Sequence, residues 1–540
     1  MSARFPATIL LGLVLMGASA IGHAAAGRER AESLPPDCLA ITVIADAGAA
    51  LQRADNILSA LEGKPADGSL RTGLGELIRN PDFAGVDLSA PLRFFYMNPK
   101  LFPRPWVYQF GVTDPAALKK AMSANRPEAQ EGEAALRLEG RQATWSLDAK
   151  AAESVIQWQK GGGKLPEFRA AGQFQARLDV QGFLRASDAE FADAIPLMKD
   201  RIRQALERGG RTGPAVEQEI AAVQAQLDTA VAALRQMRDV DFALELDPAF
   251  VRVGLDVRLA DSAPLRVLFR SHAPGDVGLL GLCPPEAGLV VVNNLSFVKA
   301  AGQMLLNMAG WTSPEKSEQG AGSGHRALAL FLSQQPGEAN APTRVEILDL
   351  RDGDQAMEAR QQWDRLARPA SEPAIPDHAG GEPFTLHPVS AGEPEPAGVR
   401  LAEIVPDEAT LQPKGLAAFR RFLGSRVQAA QECRGDTCIT AIGGSPVERV
   451  RQAEALVEAK KDSLAASSRF RRSIASLPEK PNLLVYISPD ALRRWLALGG
   501  RASSEPIPAD AMGLAAGLTI GGDGVRFVLK FPTAGILGAQ

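Results

Sequence analysis

The chain has 540 residues, 45% hydrophobic and 23% charged, with Lys+Arg 59 against Asp+Glu 63. That balance excludes a wholly disordered or collagen-like chain, and at roughly 100–200 residues per domain it predicts two to four domains with cores of their own. A net charge of -4 and an aromatic content of 6% supply neither the basic footprint nor the stacking platform of a nucleic-acid binder.

Residues 1–26 read as a secretory signal peptide. Arg4 gives the positive start, Ile9 to Met16 the apolar run, and Ala24-Ala25-Ala26 a small-residue cleavage site before Gly27. Ala18-Ser19-Ala20 is a second candidate cleavage site. The apolar run is well short of the roughly 20 residues that span a bilayer, and no other stretch approaches that length. Cys38 follows Pro35-Pro36-Asp37 instead of the small and aliphatic residues of a lipoprotein signal. The expected mature chain is exported, periplasmic or secreted, without a transmembrane segment. Loss of Arg4 takes its charge from -4 to -5.

A first half is expected over residues 33–271. Pro35-Pro36-Asp37 introduces a strand, Leu39 to Ala45, and a helix, Ala49 to Leu61, whose Leu51, Ala54, Leu58 and Leu61 recur at helical spacing. Pro91 to Met97 and Trp106 to Val112 read as strands, and Asp114-Pro115 opens a helix by N-cap and N1 proline. Ala135 to Ser146 reads as a hairpin turning at Glu139-Gly140, and Gly161-Gly162-Gly163-Lys164 as a flexible linker. A helical insertion, 187–240, follows. Ser187 and Glu190 form a capping box, and Phe191, Ile195, Met198, Ile202 and Leu206 mark a seam that Pro196 interrupts. After a glycine-rich break, Val216, Ile220, Val223, Leu227, Leu234 and Met237 follow heptad spacing. An antiparallel helical hairpin is expected. Its seam either seals the two arms together or, through Ile202, Leu206, Val216, Ile220, Val223 and Leu227, binds a partner. Phe242 to Leu246 and Val251 to Val257 close the half as strands.

The second half, 283–540, repeats this order about 250 residues later. Pro284-Pro285-Glu286 precedes the strand Leu289 to Asn293 and a helix from Phe297 to Met308. Arg326 to Leu332 and Arg344 to Leu350 read as strands, Asp354 to Leu366 as a helix, and Phe384 to Ile404 as the counterpart of the first half's hairpin. Ser445-Pro446 opens a charged helix, and Leu514 to Ile520 with Val525 to Phe531 form a final hairpin about Gly521-Gly522-Asp523-Gly524. The expected fold class is α+β, with two homologous halves, mostly antiparallel sheets flanked by helices, and the long hairpin added to the first. Ser313 to Gly324 and Arg368 to Gly398 read as surface loops.

Four cysteines in an exported chain suggest disulfides. Cys433 and Cys438, around Arg434-Gly435-Asp436-Thr437, are expected to close locally, leaving Cys38 to pair with Cys283. No H-E-x-x-H helix or G-x-S-x-G elbow is present, and the histidines stand apart from the cysteines. Trp158 and Leu165 stand where a phosphate loop needs Gly and Ser or Thr, so no cofactor, metal or catalytic residue is expected.

Gly85-Val86-Asp87-Leu88 to Pro91-Leu92, the paired strand-helix openings and the terminal hairpin resemble exported bacterial proteins grouped as domains of unknown function with tandem α+β repeats. In the second half Gly324-His325-Arg326-Ala327 departs from that pattern. The resemblance implies no activity. Three readings follow from the sequence: a non-catalytic binding or scaffold protein of the cell envelope with an unknown protein partner, a carrier of a lipid or other apolar ligand, or an enzyme without recognisable motif.

Overall fold

The computed structural model describes residues 34–62, 68–124, 135–168, 172–208, 213–214, 216–218, 220–221, 224, 234–263, 266, 269–270, 280–281, 283–293, 326–331, 343–349, 384–388, 398–406, 427–434, 437–443, 445–459, 463–498, 507–508 and 510–533. The segment 1–26 expected to be a signal peptide, the helices expected from Phe297 and Asp354, and most of both long loops lie outside them. The chain divides into two compact units, Met1–Ser271 with Gly521–Arg526, and His272–Ile520 with Phe527–Ala539.

The first unit is an antiparallel sheet with helices on both faces. Its strands are β1 (Cys38–Ile44), β2 (Val86–Asp87), β3 (Leu92–Met97), β4 (Trp106–Val112), β5 (Ala135–Glu139), β6 (Gln142–Ser146), β7 (Phe174–Asp179), β8 (Met237–Asp247) and β9 (Phe250–Leu259). They pair in the order β9-β8-β7-β1-β3-β4-β6-β5, with β2 on the end of β4. Helices α1 (Ala47–Glu62), α2 (Ser69–Leu77) and α3 (Pro115–Ala124) cover one face, where Leu51, Leu74 and Leu118 meet Phe94, Tyr108 and Trp145. On the other, Ala151 and Val155 of α4 (Ala149–Lys160) pack on Ile41, Val43, Phe95 and Val107. Alternation along β1 and β3 sends Phe94 to one core and Phe95 to the other, which is why both faces need helices.

Local chemistry starts the helices. Asp46, Asp114 and Asp148 accept from the N–H groups of Ala49, Ala117 and Ala151, and Pro115 occupies the first turn of α3 as expected. The glycine run after α4 is its C-terminal cap. Gly161 N–H and Gly163 N–H donate to Gln157 O and Trp158 O, and a Cβ at Gly163 would stand 2.3 Å from the Trp158 ring. The expected flexible linker is therefore a packed cap.

α5 (Val180–Ala186) ends at Ser187, whose N–H donates to Phe183 O, and α6 (Asp188–Arg208) begins at the next residue and runs through Pro196. Residues 216–218 and 220–221 are helical, and Arg203 Nη2 lies 3.3 Å from Glu217 Oε1. Met237, expected as the last heptad position, instead opens β8 opposite Leu259. The alternation Val240, Phe242, Leu244, Leu246 makes the segment a strand, and a register shift between Met237 and Asp239 brings Met237 into it, outweighing the heptad spacing.

The second unit has β10 (Leu289–Asn293), β11 (Arg326–Phe331), β12 (Thr343–Asp349), β13 (Phe384–Pro388), β14 (Arg400–Pro406), β15 (Val427–Arg434), β16 (Thr437–Gly443), β17 (Leu483–Ile487), β18 (Leu514–Gly521) and β19 (Gly524–Pro532), with α7 (Pro446–Ala459), α8 (Ser468–Ile474) and α9 (Pro489–Leu498). The order is β18-β17-β10-β11-β12-β16-β15-β14-β13, all antiparallel. Val290, Val292, Val345 and Ala441 pack with Val450 and Ala453 of α7.

Set strand for strand, the pairings coincide in register. Ile41 lies opposite Phe95 and Arg177, and Val290 opposite Ala329 and Tyr486. Val107 lies opposite Phe95 and Ser146, and Val345 opposite Ala329 and Ala441. Two-residue turns then fall at matching places, Glu139 facing Gln142 and Arg434 facing Thr437. In pairing order, β15–β16 thus stands where β5–β6 stands in the first unit. The expected counterpart, Phe384 to Ile404, forms β13–β14, an extra hairpin added on the β15 side of the sheet.

Candidate functional site

The densest buried polar group among the described residues lies on β7, β8 and β9. Alternate positions on these strands carry Arg177 and Asp179, Asp239 and Asp241, and Asp256 and Arg258, so all six share one sheet face. Arg177, Asp239, Asp241 and Asp256 are each below 5% exposed, so their charges face one another and little water. Arg177 grips Asp241 with two parallel bonds, Nε to Oδ1 at 2.5 Å and Nη2 to Oδ2 at 2.6 Å. Nη2 also donates to Glu167 O at 2.9 Å, and the guanidinium carbon lies 5.6 Å from the Phe168 ring centroid. Arg258 binds Asp239 through Nε and approaches Asp241 Oδ1 at 3.6 Å, while Arg238 Nε reaches Asp239 Oδ2 at 3.0 Å.

Asp179 ends β7 and caps α5, its Oδ1 accepting from Gly182 N–H at 2.8 Å. Burial holds its carboxyl above the ordinary carboxylate range, and Asp239 adds to the rise, against the Gly182 N–H and Arg185. Both oxygens of Asp241 are engaged by guanidinium N–H groups, so the cluster ties three strands together electrostatically. Among the described residues, no three or more His, Cys, Asp or Glu side chains are placed to hold a metal ion.

The same places in the second unit hold different chemistry. Tyr486 stands at the Arg177 position, Ser488 at Asp179, Gly513 at Asp239 and Ala515 at Asp241. Counted from the turn between β18 and β19, Lys530 stands at Asp256. A Cβ on Gly513 would lie 2.2 Å from Ile487 O and 2.6 Å from the Tyr486 ring, so glycine makes room for the aromatic. Lys530 Nζ donates to Arg472 O and Ala475 O at the C-terminal end of α8, where carbonyls favour a cation.

Two polar devices occur at matching places in the two units. Gln173, just before β7, takes Leu246 N–H on its Oε1 at 2.6 Å, and Asn482, just before β17, takes Ile520 N–H on its Oδ1 at 2.7 Å. Ser488 caps α9 by accepting from Ala491 N–H at 3.3 Å, as Asp179 caps α5. The Pro-Pro-acid segments also match, Cys38 N–H donating to Pro35 O and Ala287 N–H to Pro284 O, each at 3.1 Å.

Of the sequence candidates, Cys433 and Cys438 lie directly opposite across β15–β16 and form a disulfide. Arg434 beside them pairs with Glu432 at 2.6 Å and Glu454 at 2.8 Å, so the Arg-Gly-Asp tripeptide has its Arg held against its own unit. The second expected bond is corrected: Cys38 and Cys283 are not joined. Each is buried in the core of its own unit, Cys38 beside Ile41 and Phe95, and Cys283 beside Val290 and Phe470. Burial lifts both thiols, Cys283 to about 12. On the helical insertion Ile202 and Leu206 are half-buried, and Val216 and Ile220 are buried. Val223 and Leu227 lie outside the described residues. Sequence reasoning missed the Arg–Asp cluster, although Arg-x-Asp, Asp-x-Asp and Asp-x-Arg at two-residue spacing are written on its three strands.

No helix among the described residues is long and apolar enough to cross a membrane. No known protein family, curated protein or solved structure matches the chain.

Proposed function

We propose that the protein is an exported, non-catalytic binding or scaffold protein of the bacterial cell envelope, built from two copies of one α+β module. The observation that carries the reading is the common pairing register, with its matched Pro-Pro-acid turns, side-chain amides and caps, combined with a buried cluster that differs between the copies. Polar side chains at that place serve strand–strand ties in one unit and a helix end in the other, which suits a module that has diverged in how it is braced. The Cys433–Cys438 bond supports an oxidising compartment, in line with the signal-like segment at residues 1–26. The long antiparallel helical hairpin belongs to the same proposal, supported by α6, the buried Val216 and Ile220 and the Arg203–Glu217 pair.

Native mass spectrometry of protein purified from the periplasm tests this against the carrier. A bare or protein-bound mass is expected. A discrete small-molecule excess lost on denaturation would replace the scaffold with a carrier of an apolar ligand.

A further inference from the structure

The loop between β3 and β4, residues 98–105, presents Leu101 at 55% exposure, the highest of any large hydrophobic among the described residues. A lone exposed leucine is ordinary. What distinguishes this one is how the loop holds it. Lys100 N–H donates to Asn98 Oδ1, the N–H groups of Leu101 and Phe102 both donate to Asn98 O, and Asn98 N–H donates to Asp37 O. Met97 N–H donates to Pro105 O across the base of the loop. Pro99, Pro103 and Pro105 carry no N–H at all, and their fixed φ stiffens the chain. The N–H groups of Asn98, Lys100, Leu101 and Phe102 are therefore satisfied within the protein, which lowers the cost of bringing this backbone into a poorly hydrated layer. Phe102 packs down on the core beneath, leaving Leu101 turned outward. Lys100 and Arg104 flank the tip in sequence, Arg104 with its Nη1 buried, and Tyr96 and Trp106 pack at its base with rings tilted by 52° and centroids 4.8 Å apart. Asp37 brings one carboxylate to the same end, against the two cations.

We infer that the 98–105 loop is a membrane-surface contact, with Leu101 entering the interfacial layer of an anionic bilayer and Lys100 and Arg104 meeting its headgroups. A rigid tip with an apolar apex and flanking cations matches that partner in polarity and in charge. The inference goes beyond the scaffold reading and stands whether or not the protein binds a second ligand.

The test is co-sedimentation of the purified protein with vesicles of phosphatidylglycerol and phosphatidylcholine, compared with phosphatidylcholine alone. Binding to the anionic vesicles that falls with added salt is expected. Leu101→Asp should weaken it about ten-fold or more, and Lys100→Gln with Arg104→Gln several-fold, with loss of most salt dependence. Val405→Asp, which puts the same charge on another exposed apolar site, should bind as the parent does. Thermal melting checks that Leu101→Asp folds, and Leu101→Ser takes its place if it does not. Parent protein that ignores anionic vesicles, or Leu101 variants that bind as the parent does, overturns the inference, including the case in which residues 9–16 account for all the binding.

Discussion

At matched positions the two units bury opposite kinds of side chain. In the first, Arg177, Asp239, Asp241 and Arg258 form an ionic network across β7, β8 and β9. In the second, Tyr486 fills the corresponding space, with Gly513 and Ala515 cut back to admit it and Lys530 turned to the end of α8. The backbone pairing beneath is the same. The two sheet faces thus carry a charged interior and an aromatic one on like register, each completed as a set. A half-finished ionic set leaves a buried charge, and a side chain at Gly513 would collide with the ring.

The largest way to break this contrast is Asp241→Ala, which leaves Arg177 buried without its bidentate partner. A loss of about 3–5 kcal/mol is expected in urea unfolding, and a loss below 1 kcal/mol would show that the network contributes little. Gly513→Ala tests the aromatic solution. Its Cβ meets backbone and ring, so a loss of about 1–3 kcal/mol is expected, with a near-neutral result meaning that Tyr486 moves aside. Asn482→Ala and Gln173→Ala sharpen the shared part. Each removes a side-chain acceptor from a strand N–H, at about 1–2 kcal/mol, and the buried Asn482 should cost more.

The smallest effect is a slope. Asp179 has its carboxyl raised in the folded state, so the native protein holds that proton more tightly than the unfolded chain. The stability linked to it is full below the ordinary carboxylate value of about 3.9 and is lost as pH rises through the raised one. Asp179→Asn keeps a capping oxygen while removing the titration. Its melting temperature should fall less than the parent's between pH 4 and pH 7, and parallel curves would exclude the linkage.

Much of the framework was legible because its signals are local. Asp114-Pro115 marks the start of α3, Glu139-Gly140 a hairpin turn, and the Pro-Pro-acid segments precede β1 and β10, as the structure has them. What escaped was non-local. Phe384 to Ile404 has hairpin character as strong as Val427 to Gly443, and only the pairing of β12 with β16 shows which hairpin matches β5–β6. The even cysteine count could be divided in three ways, and burial of Cys38 in one core and Cys283 in another is a property of packing. The Arg–Asp cluster resembles the polar alternation of an exposed strand face, since a period of two does not say which face is covered.

The most direct test of the account is a disulfide placed by register. Leu138 and Ala143 face each other across β5–β6 where Cys433 and Cys438 face each other across β15–β16. If one module is present twice, Leu138→Cys with Ala143→Cys should acquire a further disulfide on oxidation of the purified protein, seen as two fewer free thiols in denaturant, while Leu138→Cys with Thr144→Cys should not. Bonding of the shifted pair, with none between 138 and 143, would contradict the common register on which the account rests.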